Sequence, residues 1–525
     1  MLALRRRAAV LALVPLAYLI LFHGLGRYGV VNGDEGFYHA VAATMVETGD
    51  FLRLEFHGEH RLYDTFMNAP LQYWGRALAI SLLGDGRVAM RIQSALFGLA
   101  SVMLSYAFAR RLASRRAAFL VSAIQLTTFQ FVYWHSARTG ELETATAFFF
   151  TAVAWCFVRY VETGRGLVLH HVCWLLLANW KLPLALLPLV AETAAFALLP
   201  AARARIGPWL RSAALLLPLG FVWHAGQLVA HWDDFLSVAD RMLTQAFEPE
   251  AGASRHGVAA NARFYFFSVL YGAFPYSLLY PFAFGSLLWA REEHGRVRLV
   301  VLGLFIASVF AFFVVVEKHH RWYWTPALPL LSIFVGVWLD RIATRRLVPS
   351  VLGAFALLAA GLALIDVDLL QTNPFQSRTP LLPLATPLRS WFGGPPGVAV
   401  LWIGLLAVAL CLAGRFLRPR AAPALAALIF VVAFGVGTLR VMLPLRHLDQ
   451  RTEMARLRET IDTARAEGRE LSLPIAIREG GELKVRSLFA RDFEIVPGSS
   501  GVSWWLFAPG DPRAAKSIRR GFPDD

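Results

Sequence analysis

The chain has 525 residues, of which 57% are hydrophobic and only 17% charged. A soluble domain carries about 25% charge, so the composition argues against a soluble globular protein and for a polytopic membrane protein. The net charge of +15 would suit a nucleic-acid ligand, but the basic residues fall in short clusters between apolar runs, which is the positive-inside pattern. The lipid bilayer, and no nucleic acid, is the expected partner. Cys156, Cys173 and Cys411 lie inside apolar runs and cannot staple an outer loop.

The chain opens on Arg5-Arg6-Arg7 and an apolar run from Ala8 to Phe22, without a clean small-x-small cleavage site. This reads as an uncleaved first helix. A span needs about 20 apolar residues. About thirteen stretches qualify, near 8–25, 87–109, 117–136, 142–161, 166–180, 182–200, 208–228, 266–290, 297–316, 321–340, 348–366, 396–416 and 421–440. With the N-terminus inside, every inner loop is arginine-rich, for example Arg110/Arg111/Arg115/Arg116, Arg203/Arg205/Arg211 and Arg341/Arg345/Arg346. Acids gather on the other side, so an odd number of spans is expected.

The outer segments are long. Residues 26–86 form a first outer loop with two amphipathic stretches, 35–48 and 70–83, expected to lie as helices along the membrane surface. Residues 229–265 form a second. Residues 1–440 thus make a transmembrane module. From 441 to 525 the composition turns soluble, with a helical stripe over 450–467 and short strand-like runs at 472–478, 483–489, 493–496 and 504–507. The expected fold is a polytopic α-helical membrane protein with outer-surface amphipathic helices and a small C-terminal α/β extracytoplasmic domain.

Chemistry concentrates at the outer boundaries. Asn32-Gly33-Asp34-Glu35-Gly36-Phe37-Tyr38 follows the first span directly. Adjacent acids at a membrane boundary are costly without a role; as a catalytic base or as a helix cap, Asp34 and Glu35 are equally well placed by composition. Glu141 and Glu143 stand at the outer end of the third and fourth spans, where they could act in catalysis or complement the fourth helix dipole. Lys181, beside Trp180 between two apolar runs, could snorkel to the surface or neutralise a phosphate. Glu317-Lys318-His319-His320-Arg321-Trp322-Tyr323-Trp324 is a cationic, aromatic cluster on the side that positive-inside placement disfavours. An anionic headgroup is its natural partner. His57, His60, His231 and His256 show no metal-motif spacing, so no cofactor is assigned and a divalent metal is a disfavoured option. No phosphate-cradling glycine loop follows a strand, which argues against an ATP-driven pump.

Carboxylates and cations converging at one membrane face suit a lipid-phosphate-linked substrate: a carboxylate activates an acceptor hydroxyl and the cations stabilise the departing phosphate. Two other classes fit the same residues. A lipid-linked-sugar transporter would distribute charge through the membrane depth, whereas the spans here are nearly free of acids. A non-catalytic lipid-binding relative would bind donor without turnover.

Asn32-Gly33-Asp34-Glu35 with Tyr38, Ala42, Met45 and Gly49-Asp50-Phe51 resembles the first-loop signature of the GT-C glycosyltransferases. The closest likeness is to the bacterial branch of aminoarabinose lipid A transferases and relatives of protein O-mannosyltransferases. Four further stretches match in order: Asn68-Ala69-Pro70-Leu71-Gln72-Tyr73-Trp74, Ala137-Arg138-Thr139-Gly140-Glu141-Leu142-Glu143, Phe274-Pro275-Tyr276-Ser277, and Lys318 through Pro329. The resemblance covers about residues 30–335. It implies inverting transfer of a sugar from a polyprenyl-phosphate donor to an acceptor (lipid A, another glycolipid, a glycan or a protein) on the extracytoplasmic face of a bacterial inner membrane. Asp34 falls on the family's catalytic aspartate and Glu143 on its second acidic position, usually aspartate. Lys181 and Tyr323 fall at donor-phosphate positions, with Lys318, His319 and Arg321 beside them. Tyr38 and Asn68 lie in the substrate loop. Asn68 stands where close relatives have a phosphate-contacting lysine, which implies altered donor contacts compensated by Lys318 or Arg321. Met67 stands where the aminoarabinose transferases have a metal-binding glutamate, which weakens the metal and lipid A assignments together.

Overall fold

A computed structural model describes residues 13–27, 33–56, 59–60, 65–66, 68, 70–247, 257–285, 293–318, 320–345, 354, 422–447, 472–474, 494–497 and 503–507. Among them, five helices are long and apolar enough to cross a bilayer: Arg87–Leu112, Glu143–Thr163, Ile206–Ala230, Gly295–Val315 and Thr325–Ile342. Four shorter apolar helices, Leu13–Phe22, Leu167–Ala178, Leu182–Leu198 and Ala426–Met442, accompany them. The expected spans at 348–366 and 396–416 and the stripe over 450–467 lie outside the described residues, apart from Ala354.

The centre is built from Arg87–Leu112, Arg115–Leu126, Glu143–Thr163 and Leu328–Arg345, which pack mutually. Small residues let the last of these approach closely: a Cβ on Gly336 would run into the Val121 side chain. Burial grades outward, from 94% of the apolar window of Thr325–Ile342 to 17% of that of Ile206–Ala230. The helix Ala422–His447 is tied on through Arg440, which donates to the Tyr271 and Phe274 carbonyls, and through Tyr133, whose hydroxyl donates to the Val441 carbonyl. It continues past residue 441, the expected start of the C-terminal domain.

Two expected spans are interrupted. The stretch 117–136 breaks after Arg115–Leu126, where Thr127 and Thr128 donate their hydroxyls back to the Ala123 and Ile124 carbonyls. This local bonding competes with continued helix. The stretch 266–290 breaks after Gly257–Gly272 at the cis peptide Phe274–Pro275, and Tyr276 then meets Thr127 at 2.5 Å between hydroxyls. Within the apolar shell, Glu192 is fully buried and pairs with His170 at 2.8 Å. The spans are therefore less free of acids than their hydropathy implies.

The two surface helices form as the apolar spacing predicts, over Gly33–Thr48 and Leu71–Leu83. The first buries Phe37, Val41 and Met45 against Leu54 and Tyr73. The second turns Tyr73, Ala77 and Ile80 inward and leaves Trp74, Leu78 and Leu82 exposed at 36%, 60% and 72%. An exposed apolar stripe at i, i+4, i+8 is what an interfacial helix presents to lipid. Beyond the helices, Ser472–Pro474, Glu494–Pro497 and Ser503–Phe507 form a three-stranded antiparallel sheet with the last strand central. Glu55–Phe56 pairs with Glu59–His60 in a small hairpin.

Candidate active site

Helix geometry brings the site together. Asp34 and Glu35 lie in the first turn of Gly33–Thr48, where acids complement the helix dipole. Adjacent positions on a helix diverge by about 100°, so the two carboxylates part company. Asp34 keeps its side chain 51% exposed. Glu35 is fully buried and paired with Arg91, whose Nε and Nη2 donate at 2.5 and 3.0 Å. The Gly140 amide also donates to Glu35, at 2.9 Å. The loop can approach this closely because residue 140 is glycine: a Cβ there would lie 2.6 Å from the Met90 carbonyl oxygen. Arg76 bonds the Gly140 carbonyl at 2.6 Å from the other side. Burial lowers Arg76 to about 10, which leaves it charged at neutral pH. Glu35, expected beside Asp34 as a catalytic candidate, thus serves as a clamp that joins the first surface helix, the helix Arg87–Leu112 and the loop carrying Glu141.

That loop is fixed by its own arginine. Arg138 is fully buried and donates to the Ile20 and His23 carbonyls at 2.7 and 2.8 Å. Glu141 is buried behind it, accepting from the Thr139 hydroxyl at 2.8 Å and facing His135 Nδ1 at 3.2 Å, while its Oε1 has no hydrogen-bond partner. Burial pushes the Glu141 carboxyl well above the usual carboxylate range, and the charges of Asp34, Glu143 and Glu35 push the same way. Glu143 opens the helix Glu143–Thr163 and takes Lys181 Nζ at 3.2 Å, with its Oε2 left over. Lys181 in turn lies 5.6 Å from the centre of the Tyr323 ring, within cation–π range.

The expected constellation is therefore largely assembled at one end of the bundle. Asp34, Glu141, Glu143, Lys181 and Tyr323 come together, and Arg321 sits exposed with its guanidinium 6.0 Å from the Trp134 ring. Lys318 is half-buried in the segment that follows the helix Glu293–Val315. Tyr38 is half-buried, edge-on to Tyr73 and under Arg76. Asn68 is buried. His319 and Met67 lie outside the described residues. Among the described residues no cluster of three or more His, Cys, Asp or Glu side chains is arranged to hold a metal.

Two site residues escape sequence reasoning. Arg91 carried a signal, an arginine inside a predicted span, since a charge at that depth calls for a partner. His135 also lay at the end of a predicted span, 117–136, but its role depends on a loop turn and on Trp322 from a distant element.

Residues 67–223 match the family model described as dolichyl-phosphate-mannose-protein mannosyltransferase. An uncharacterised protein of Aquifex aeolicus is 26% identical over 351 residues, 64% of this chain and 65% of the relative. The undecaprenyl phosphate-alpha-4-amino-4-deoxy-L-arabinose arabinosyl transferase of Pseudomonas savastanoi pv. phaseolicola is 31% identical over 128 residues, 24% of this chain and 23% of the relative. The matched stretches thus span less than two thirds of either curated relative. The crystal structure of ArnT from Cupriavidus metallidurans bound to undecaprenyl phosphate superposes with a TM-score of 0.61 at 20% identity, covering 92% of this chain and 84% of that one. Its apo form gives 0.61 at 18% identity, covering 98% and 89%. The chain has the polytopic helical fold of these membrane proteins and resembles the GT-C glycosyltransferases, the aminoarabinose transferases among them.

Proposed function

We propose that this protein is an inverting glycosyltransferase that moves a sugar from a polyprenyl-phosphate donor to an acceptor at the extracytoplasmic face of a bacterial inner membrane. The observation that carries the proposal is the division of labour among the clustered carboxylates: Glu35 and Glu143 are each held by a cation, while Asp34 stays half in solvent at the rim. An exposed carboxylate at a membrane surface, fixed by a rigid helix start, is where a general base must stand to reach an acceptor hydroxyl. As the acceptor oxygen attacks the anomeric carbon, its proton passes to Asp34. The anomeric C–O bond breaks and its electron pair leaves with the polyprenyl phosphate.

Lys181 supplies positive charge to the leaving phosphate, oriented by Glu143 on one side and by the Tyr323 ring on the other. Lys318 and Arg321 are assigned to the same phosphate side, with His319 next to them in sequence, while Tyr38 and Asn68 are assigned to the loop that receives substrate. In this reading an odd number of spans, about thirteen, leaves this end outside, with residues 441–525 as a small extracytoplasmic domain. The donor class is supported by the name of the Pseudomonas relative, an undecaprenyl phosphate-linked aminoarabinose transferase, and by the undecaprenyl phosphate bound in the Cupriavidus structure. The acceptor is a membrane glycolipid such as lipid A, an envelope glycan or a protein.

The test is a transfer assay in membranes with a panel of radiolabelled polyprenyl-phosphate sugars, comparing wild type with Asp34→Asn. Label reaching an acceptor only in wild type supports the enzyme. Donor crossing reconstituted vesicles without transfer would replace this reading with a transporter.

A further inference from the structure

His135 has a backbone φ of +52°, the one non-glycine with positive φ among the described residues. The left-handed region costs an ordinary residue about 1–2 kcal/mol, and such residues persist where surrounding structure enforces them, often at functional sites. Here the enforcement is visible. The imidazole lies flat on Trp322, 3.5 Å between ring centres and 10° between planes, and Trp322 is parallel to His320 at 4.7 Å. Held this way, His135 directs Nδ1 at two carboxylates, Glu141 Oε2 at 3.2 Å and Asp34 Oδ2 at 3.9 Å. The carboxylates nearest Nδ1 put it where one proton can be shared between the ring and the Glu141 oxygen.

The charges around the ring leave it a specific task. From the surface helix come Asp34 and Glu35, the latter held by Arg91. From its own loop and the next helix come Glu141 and Glu143, the latter held by Lys181. From the facing turn come His320, behind Trp322, and Arg321, which lies over Trp134. Four carboxylates crowd this end, and His135 is a basic group within 4 Å of both Asp34 and Glu141. Two carboxylates in one site cannot both ionise cheaply. An imidazole set between them offsets that cost for Asp34, while burial keeps the Glu141 carboxyl raised.

We propose that His135 is a positioning residue for Asp34: clamped on Trp322 and set between Asp34 and Glu141, it shares a proton with the pair and keeps Asp34 ionised and aimed. The inference rests on the reading of Asp34 as general base. His135 makes and breaks no bond in the transfer. The acceptor proton still goes to Asp34, and His135 sets the pH range over which Asp34 can accept it.

The experiment is the pH profile of kcat for His135→Asn and His135→Gln, using whichever polyprenyl-phosphate sugar the wild type transfers. Asparagine tolerates the left-handed backbone, so the loop should hold. Loss of the imidazolium should raise the acid limb by about one pH unit, cutting the rate roughly tenfold at the acid end and less at the plateau, with donor KM unchanged. An acid limb that stays in place, or a loss equal at every pH, would overturn the inference. If neither variant folds, Trp322→Leu removes the clamp and should move the limb in the same direction. A second readout needs no turnover: the infrared C=O band of protonated Asp34, assigned by its absence in Asp34→Asn, should titrate at higher pH in His135→Asn. A wild type inactive with every donor sinks the base reading. An Asp34 band that titrates alike in both proteins sinks this inference alone.

Discussion

The helix Glu143–Thr163 carries a carboxylate at each end, and the two ends are built to different rules. At its last turn Glu162 is gripped by Arg111 and Arg298, while nearby Asp340 receives the Nε and Nη2 donors of Arg116. Each acid there is met by arginine, and the arrangement draws on five helices. At the first turn, roughly 30 Å away by helix rise, Glu143 has a single lysine and a spare oxygen, Glu141 has a spare oxygen and Asp34 reaches into solvent. The same residue type on the same scaffold is structural where arginine saturates it. It becomes chemically available where a weaker or titratable cation leaves capacity over. The Glu35–Arg91 pair shows the structural rule reappearing within the site, one residue from Asp34.

The sharpest break between the two rules is Asp34→Asn. Removing a general base costs roughly a hundredfold to ten-thousandfold, so transfer should fall about a thousandfold with helical content and thermal unfolding unchanged. A fall of less than tenfold would return Asp34 to the status of a helix cap. Next in size is Glu35→Gln. Breaking a buried ion pair by removing one partner costs about 3–5 kcal/mol, and Arg91 would be left uncompensated. Unlike Asp34→Asn, this variant should show its damage in thermal unfolding in detergent before any rate is measured. Lys181→Met should come third, raising donor KM by about ten- to a hundredfold, the worth of a charge-assisted contact. An unchanged KM with a lower kcat would move Lys181 from donor binding to the support of Glu143.

Glu141 also has a signature in pH. The folded-state carboxyl of Glu141 is raised above its unfolded value, so its contribution to stability is present below the ordinary glutamate range and is lost as pH climbs through the raised value. Glu141→Gln should therefore flatten the decline in melting temperature across that window. A decline as steep as that of wild type would place the responsible group elsewhere.

Much of this site could be read in the sequence because charge at the ends of apolar segments is rare and its side can be counted. Asp34, Glu141, Glu143, Lys181 and Tyr323 sit at boundaries that alternate consistently, and the structure gathers them. By composition Glu35 could not be told from Asp34, since which of two neighbours faces Arg91 depends on how the surface helix is rotated against the helix Arg87–Leu112; only the family resemblance separated them. His135 was hidden for a related reason, because a loop backbone turn and a ring from a distant segment define its role. Apolar windows also passed over the breaks at Thr127 and Pro275, because hydropathy does not register hydroxyls that bond back to carbonyls.

The smallest expected effect lies at the arginine-saturated end and is the control for the others. Arg116 is half exposed while its partner Asp340 is nearly buried. A pair that open to solvent contributes about 0–1 kcal/mol, so Arg116→Ala should lower the melting temperature slightly and leave kcat, KM and the pH profile where they were. The distance from the reacting end is what makes this informative. If Arg116→Ala changed the pH profile, charge at one end of Glu143–Thr163 would be felt at the other, and the two ends would no longer be independent. If only melting moves, rate changes at Asp34, Lys181 and His135 can be assigned to the local charges that surround them.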